Sequence, residues 1–346
     1  MEQFSLDLGI TNINDTLTDR QTDRQTDRQP QTLAEKIDKA KKVLILAADM
    51  SKTYYEAPLI VTYSGGKDSD VMLHLAESCL NPDDFEVMNS HTTVDAPETV
   101  RHIREVFKRL DERGVKTRID YHEQPDGTRT TMWNLIPQKY MPPTRIVRYC
   151  CSVLKESGTP NRICSLGVRA AESSKRQGRD TFGIRGGNYR QATFFSYDHA
   201  EEVHREAQEL NDPVWDCTLI KLMKRKGATV VNPIYEWLDS DIWDYIKQEN
   251  LEVNPLYQKG YTRVGCIGCP LAPYHQRKKE FNDYPMYKTM YINAFEKMIE
   301  QRKRNGKEVV WRNGKEVVWR NGKEVFDWWI EEGKHNCKGQ LELFNE

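Results

Sequence analysis

No run of about eighteen apolar residues occurs anywhere in this chain of 346 residues, so no membrane-spanning helix is expected. Charge of one sign is not in excess either. Lys and Arg number 51 against 52 Asp and Glu, a formal net charge of −1, which excludes a bulk positive field that would bind nucleic acid or anionic lipid indiscriminately. Any such contact must be local. Residues 1–12 carry neither a basic stretch nor an apolar one, so no secretory leader is expected, and a cytoplasmic location without a membrane partner is the reading that follows. What is present, 38% hydrophobic and 30% charged residues, suffices for one large or two modest domains and rules out collagen, coiled coil and a wholly disordered chain. Of eight cysteines, two are adjacent and two are spaced C-x-x-C. In a reducing compartment, where structural disulfides do not persist, that pattern points to metal binding or redox chemistry.

Two tandem repeats bracket the chain. Residues 18–29 read TDRQTDRQTDRQ, and the polar stretch 1–31 is expected to be a solvated, disordered arm. Near the other end NGKEVVWR at 305–312 recurs from Asn313 and begins again at Asn321. It reads as a duplicated surface loop ahead of a closing helix over 324–332. A small hairpin with a type I′ turn is the alternative, and two copies are too few for a solenoid.

Between the repeats the pattern alternates. Leu33, Ile37, Ala40, Val43, Leu44 and Ala47 mark one face of an amphipathic helix, and residues 58–63 (PLIVTY) suit a buried parallel strand that Ser64-Gly65-Gly66 breaks before a helix from near Ser69. Further strands are expected over 85–90, 115–121, 162–169 and 228–231, with a helix over 98–113. This is the pattern of an α/β fold with a doubly wound, mostly parallel sheet over 32–255, followed by a cysteine-pair segment and a helical C-terminal extension over 256–346. Ligands of such sheets sit at the carboxyl ends of the strands.

The hexapeptide Ser64-Gly65-Gly66-Lys67-Asp68-Ser69 follows the first strand. Its glycines allow close backbone approach, its hydroxyls donate, and the next helix aims free N–H groups at whatever anion occupies the turn. Phosphate binding is expected, but without the longer spacing of a Walker A loop. Cys150-Cys151 and Cys266-Ile-Gly-Cys269 together offer four thiolates, a soft and multiply negative set suited to zinc or an iron–sulfur cluster. Structural zinc generally takes cysteine pairs at C-x₂₋₄-C spacing and adjacent cysteines suit one small ion poorly, so a [4Fe–4S] cluster is preferred and zinc is the less favoured choice. Cys79, Cys164 and Cys217 are read as core residues, as are Trp237, Trp243 and Tyr245. Asp239 and Ser240 are read as N-cap residues.

SGGKDS after an apolar strand resembles the PP-loop of the adenine nucleotide α-hydrolase superfamily. That resemblance implies an adenine-nucleotide-α-hydrolase-like fold and cleavage of ATP between the α- and β-phosphates. It further implies that Ser64, Gly65, Gly66, Asp68 and Ser69 contact pyrophosphate or its Mg²⁺ while Lys67 contributes charge, with Lys67 and Asp68 counted as catalytic. Residues 91–99 (HTTVDAPET), with Thr92 expected at the nucleotide, are similar to a stretch of the phosphoadenosine phosphosulfate (PAPS) reductase family. Residues 167–176 (GVRAAESSKR) resemble the anion loop of the same family, which implies sulfate or phosphate contacts from Arg169, Glu172, Ser173 and Arg176. Residues 232–246 and 254–257 resemble its closing helix and aromatic loop, and the cysteine set resembles the cluster ligands of its iron–sulfur adenylyl-sulfate (APS) reductases.

The match departs at the end, where the family's reductases carry a Glu-Cys-Gly-(Ile or Leu)-His motif and only Cys337, in KHNCKG, survives here. An intact loop implies that ATP itself is consumed, as in the ATP pyrophosphatases of DNA phosphorothioation and tRNA thiolation. The leading expectation is therefore adenylylation of a substrate for sulfur transfer with a [4Fe–4S] cluster. The expected partners are an adenine nucleotide, Mg²⁺ and a sulfur donor protein, in a homo-oligomer or as a subunit of a complex. A PAPS or APS reductase using Cys337 and thioredoxin is the second reading. The third is a non-catalytic, nucleic-acid-associated subunit whose basic stretches 277–279 and 302–304 touch phosphates, although those stretches read more simply as solvated helix faces.

Overall fold

Helix α1 (Leu33–Tyr55) begins where the polar arm ends because Thr32 closes a capping box. Its hydroxyl accepts from the Glu35 amide at 3.3 Å and its own amide donates to Glu35 Oε2 at 2.8 Å, which satisfies two otherwise free N–H groups. A computed structural model of the chain describes residues 31–155, 159, 161–185, 192–210, 228–312 and 315–331. The TDRQ repeat, Cys217 and Cys337 lie outside the described residues.

Strand β1 (Leu59–Thr62) is followed by α2 (Lys67–Cys79), then by β2 (Phe85–Ser90), α3 (Pro97–Glu112) and β3 (Lys116–Asp120). Short helices α4 (Met132–Lys139) and α5 (Tyr149–Leu154) precede β4 (Ile163–Ser165). After them come α6 (Ser174–Gln177), β5 (Phe182–Arg185), β6 (Ala192–Phe195), α7 (Tyr197–Glu209), β7 (Ala228–Val231) and α8 (Asp239–Gln248). The sheet order is β3-β2-β1-β4-β7-β5-β6. The first five strands are mutually parallel, with Leu59 opposite Phe85 and Ile60 opposite Cys164, so the sheet is doubly wound and mostly parallel. Strands β5 and β6 add an antiparallel edge that was not foreseen from the sequence. Chain order reverses between β1 and β4, and the crevice at such a switch point, beyond the carboxyl ends of the strands, is where an open α/β sheet holds ligands.

The strands read as continuous apolar runs because helices cover both faces: Leu59, Ile60 and Val61 have no exposed surface. Ala40, Val43, Leu44 and Ala47 of α1 pack into the same core, with Leu33 and Ile37 at its margin. Trp237 and Tyr245 are buried there too, whereas Trp243, expected in the core, is 37% exposed.

The C-terminal part consists of α9 (Tyr274–Asp283), α10 (Pro285–Arg304), the hairpin β8 (Val309–Arg312) and β9 (Lys315–Val318), and α11 (Gly322–Glu331). Phe281, Tyr291, Phe295, Trp319, Trp328 and Trp329 form a second core, joined by Val94, Leu135 and Tyr149 from the preceding part of the chain. Each such side chain contributes about 1.5–3 kcal/mol on leaving water. The tandem NGKEVVWR copies pair with each other, Val309 opposite Val318 and Arg312 opposite Lys315, so the duplication makes a hairpin rather than a surface loop. Alternation explains it: Val310 and Trp319 turn inward while Val309 and Val318 stay half exposed. No helix among the described residues is long and apolar enough to cross a membrane.

Candidate functional site

The loop between β1 and α2 is tightened by one hydroxyl. Ser69 Oγ donates to the Gly66 carbonyl at 2.7 Å and accepts from the amides of Gly66 at 3.1 Å and Ser64 at 3.3 Å. This local closure starts the helix at Lys67, with Gly66 as N-cap, two residues earlier than the sequence suggested. Gly65 adopts φ +70°, and a Cβ there would lie 3.0 Å from Ile103 Cγ1, so only glycine suits the turn. Asn254, fully buried, donates from Nδ2 to the Gly65 carbonyl at 2.9 Å, which ties the loop to the segment after α8. Behind the loop, Tyr63 donates to Asp70 Oδ1 at 2.6 Å and lies 2.9 Å from His102 Nε2, a buried polar network that anchors the first turn of α2.

Four charges alternate in front of the loop. Arg169, 4% exposed, reaches Asp68 Oδ1 from Nε at 2.5 Å and Asp239 Oδ1 from Nη2 at 3.0 Å. Lys67, 6% exposed, reaches the same Asp239 oxygen at 2.6 Å and Asp68 Oδ2 at 3.4 Å. Partial burial pushes the Asp239 carboxyl up, but the hydrogen bonds and charges of Lys67 and Arg169 outweigh it and hold the group below the ordinary carboxylate value. Asp239 is not the N-cap expected from the sequence. Leu238 occupies that position, and its amide is capped by Asp241 Oδ2 at 2.6 Å, which leaves Asp239 free to turn toward the loop. Trp243 stands 5.4 Å from Tyr257, edge to face, and 6.0 Å from Lys67 Nζ, while Tyr257 Oη accepts from the Lys67 amide at 2.9 Å.

A cavity of about 660 Å³ opens over these groups. Its phosphate-loop end is lined by Ser64, Gly66, Lys67, Asp68, Ser69 and Arg169, and Glu172 and Arg176 form a further part of the wall. Glu172 holds that loop together by accepting from the Arg169 amide at 3.0 Å and pairing with Arg176. Neither Ser173 nor Thr92 lines the cavity. Thr92 instead donates to Asp95 Oδ2 at 2.7 Å and accepts from the Cys266 thiol at 3.4 Å.

The same cavity is also lined by Asp95, Lys155, Arg263 and Gly265, next to the cysteines. Cys266 pairs with Asp95 in an isolated bridge, and the C-x-x-C turn is fixed by Gly268 N–H on Glu280 Oε2 at 2.7 Å and Tyr291 Oη on the Ile267 carbonyl at 3.0 Å. Burial pushes the Glu280 carboxyl up against the opposing hydrogen bonds of Gln276 and Gly268. The Cys150 thiol is pushed far up by its hydrogen bond to Cys151, by burial, and by the neighbouring sulfurs of Cys151, Cys266 and Cys269. The two cysteine pairs therefore share one neighbourhood. Burial drives Cys266 up to about 12, with the Lys155 charge opposing it, and Arg263 Nη2 lies 4.0 Å from Cys269 Sγ. Among the described residues no group of three or more His, Cys, Asp and Glu is gathered as a metal site would require.

Sequence reasoning missed Asp239, Lys155 and Arg263. Lys155 was legible in principle, since it lies four residues after Cys151 and so one helical turn further along the same face. Arg277, read with the basic stretch 277–279, is 1% exposed and stacks 4.4 Å over Trp329, so it belongs to the core and not to a solvated helix face. Cys164 is buried, and Cys79 partly so, as expected.

A profile of the phosphoadenosine phosphosulfate reductase domain matches residues 58–272. An uncharacterised protein of Methanocaldococcus jannaschii is 24% identical over 70% of this chain and 42% of its own length. Sulfate adenylyltransferase subunit 2 of Shewanella amazonensis is 28% identical over 59% of this chain and 62% of its own. Adenosine 5′-phosphosulfate reductase of Anoxybacillus flavithermus is 22% identical over 69% and 83%. The chain thus spans less than half the length of the first of these relatives.

Proposed function

The chain belongs to the phosphoadenosine phosphosulfate reductase domain family, and from that premise we propose that it splits ATP to AMP and pyrophosphate to activate a substrate for sulfur transfer. The single observation that carries the reading is that one cavity joins an intact SGGKDS loop to Lys155 and Arg263, the two cations beside the cysteine sulfurs. In the activation step a substrate oxygen attacks the α-phosphorus of ATP. The α–β anhydride bond breaks, pyrophosphate departs with its electron pair, and the substrate is left as an adenylate. A sulfur nucleophile from a donor then displaces AMP.

Lys67 and Arg169 would take the charge growing on pyrophosphate, in a buried setting where such contacts are strong, joined by the first amide of α2 once Tyr257 releases it. Ser69 and Gly66 would hold the backbone close to the phosphates, and Asp68 would hold Mg²⁺. Glu172 would keep Arg169 and Arg176 turned toward the cavity. Cys150, Cys151, Cys266 and Cys269 would ligate a [4Fe–4S] cluster, which when bound supplies electron-transfer or sulfur-binding chemistry at this wall. Incubation of anaerobically purified protein with α-labelled ATP and Mg²⁺ tests the activation step. Labelled AMP is expected, with its formation lost in Lys67→Ala, and labelled ADP would overturn the reading.

The likeness to an adenosine 5′-phosphosulfate reductase supports a second reading, in which Cys337 attacks the sulfur of an adenylyl sulfate and a thiol reductant releases sulfite. Sulfite release abolished in Cys337→Ser would favour it.

A further inference from the structure

Both buried cations of the phosphate loop are already engaged, and by a carboxylate that is itself largely in solvent. A single oxygen of Asp239 accepts from Lys67 Nζ at 2.6 Å and from Arg169 Nη2 at 3.0 Å. The side chain of Asp239 is 63% exposed, against 7% and 5% for Lys67 and Arg169. The cations are therefore the fixed part of the arrangement and the carboxylate the part free to leave. The first amide of α2, one of the N–H groups that a bound anion would use, is likewise taken, by Tyr257 Oη at 2.9 Å. Asp239, Trp243 and Tyr257 come from one stretch, α8 and the turn after it, and the Trp243 ring packs edge to face on Tyr257 beside Lys67. One segment thus supplies a carboxylate and a hydroxyl where ligand oxygens would sit.

We infer that Asp239 is an internal competitor for the phosphate site, a carboxylate that an incoming anion must displace from Lys67 and Arg169. The inference rests on the reading that these two cations take pyrophosphate. Displacement costs the same whatever anion arrives. A polyphosphate, with several charged oxygens, replaces both ion pairs and adds contacts to the loop amides. Sulfate or orthophosphate has fewer oxygens to set against the same cost. The competitor thus lowers the affinity for every anion by the same factor, so that a polyphosphate still fills the site while the weaker-binding single anions do not.

Calorimetric titration of the full chain with inorganic pyrophosphate, and separately with sulfate, tests this, run in EDTA so that no metal bridges the carboxylate to the ligand. Asp239→Asn and Asp239→Ala should each bind pyrophosphate about tenfold tighter than the wild type, the scale of two partly exposed ion pairs released together. Sulfate affinity should rise by a similar factor, since the same two ion pairs are released. If both variants bind pyrophosphate no tighter than the wild type, the competitor role is wrong while the reading of the site stands. If wild type and variants alike fail to bind pyrophosphate, the reading of the loop and the inference fall together.

Discussion

Gly268, in the middle of the C-x-x-C turn, should not accept a methyl group. Its φ of +72° is a conformation that costs an L-residue about 1–2 kcal/mol. A Cβ there would lie 2.5 Å from Phe281 Cζ and 3.1 Å from Trp329 Cη2. Neither ring can yield, since both are wedged among Tyr291 and Phe326 in the second core, and overpacking of that kind costs about 1–3 kcal/mol. Gly268→Ala should therefore lose about 3 kcal/mol in all and lower the midpoint of thermal unfolding by about 4 °C. Because the Gly268 amide is held by Glu280 Oε2 at 2.7 Å, the same shift should displace Cys266 and Cys269 and reduce the iron bound after anaerobic reconstitution. Gly260→Ala is the control: φ is +79° but nothing lies within 4 Å of its Cβ, so only the backbone cost of about 1 kcal/mol applies. Circular dichroism and iron analysis on the two variants settle the matter. Equal, small losses for both, with iron content unchanged, would refute the packing argument.

Other expectations follow from single groups. Burial pushes the Cys79 thiol up to about 11, against a weaker pull from Lys41, so at pH 8 only ~0.1% is thiolate. Iodoacetamide should label its peptide about a hundredfold slower than a free cysteine, as read by mass spectrometry, and labelling at the ordinary rate would contradict its burial. The Lys52 ammonium, through its hydrogen bond, holds the Asp84 carboxyl below its ordinary 3.8, so the ionised native form adds stability above that pH and the contribution fades as pH falls through the native value. Asp84→Asn should accordingly be less stable than the wild type at pH 7, by a difference that shrinks as the pH falls below 3.8; a difference that stays constant down to full protonation would refute the pairing. Thr32→Ala removes the cap of α1 and should cost about 1 kcal/mol in urea unfolding, whereas no change would show that the first turn is held by other means.

The sheet was legible because its strands obey simple patterns. Continuous apolar runs such as 58–63, a glycine break and a helical face with the spacing of Val100, Ile103, Phe107 and Leu110 leave little choice. The antiparallel edge was missed because β5 and β6 are only four residues each, although Gly186-Gly187-Asn188 between them is a turn signature. At the site, the loop and the cysteine pairs could be read because their chemistry is written in consecutive residues. Asp239 could not, since its part depends on Asp241 taking the cap and on α8 lying beside α2, both matters of tertiary placement. Trp243 misled for a related reason: its spacing from Trp237 and Tyr245 suits a buried face, yet it falls at the margin where α8 meets the cavity. Arg277 shows the converse, a residue whose charge suggests solvent but whose stacking on Trp329 carries it inside.

The central claim is that the phosphate loop and the four cysteine sulfurs serve one cavity. Electron paramagnetic resonance of anaerobically purified, dithionite-reduced protein, recorded with and without Mg²⁺-ATP alongside an iron determination, tests it most directly. The account predicts about four irons per chain and a signal that shifts when nucleotide binds, with the shift lost in Lys67→Ala. Absence of iron, or a cluster signal indifferent to nucleotide, would contradict it.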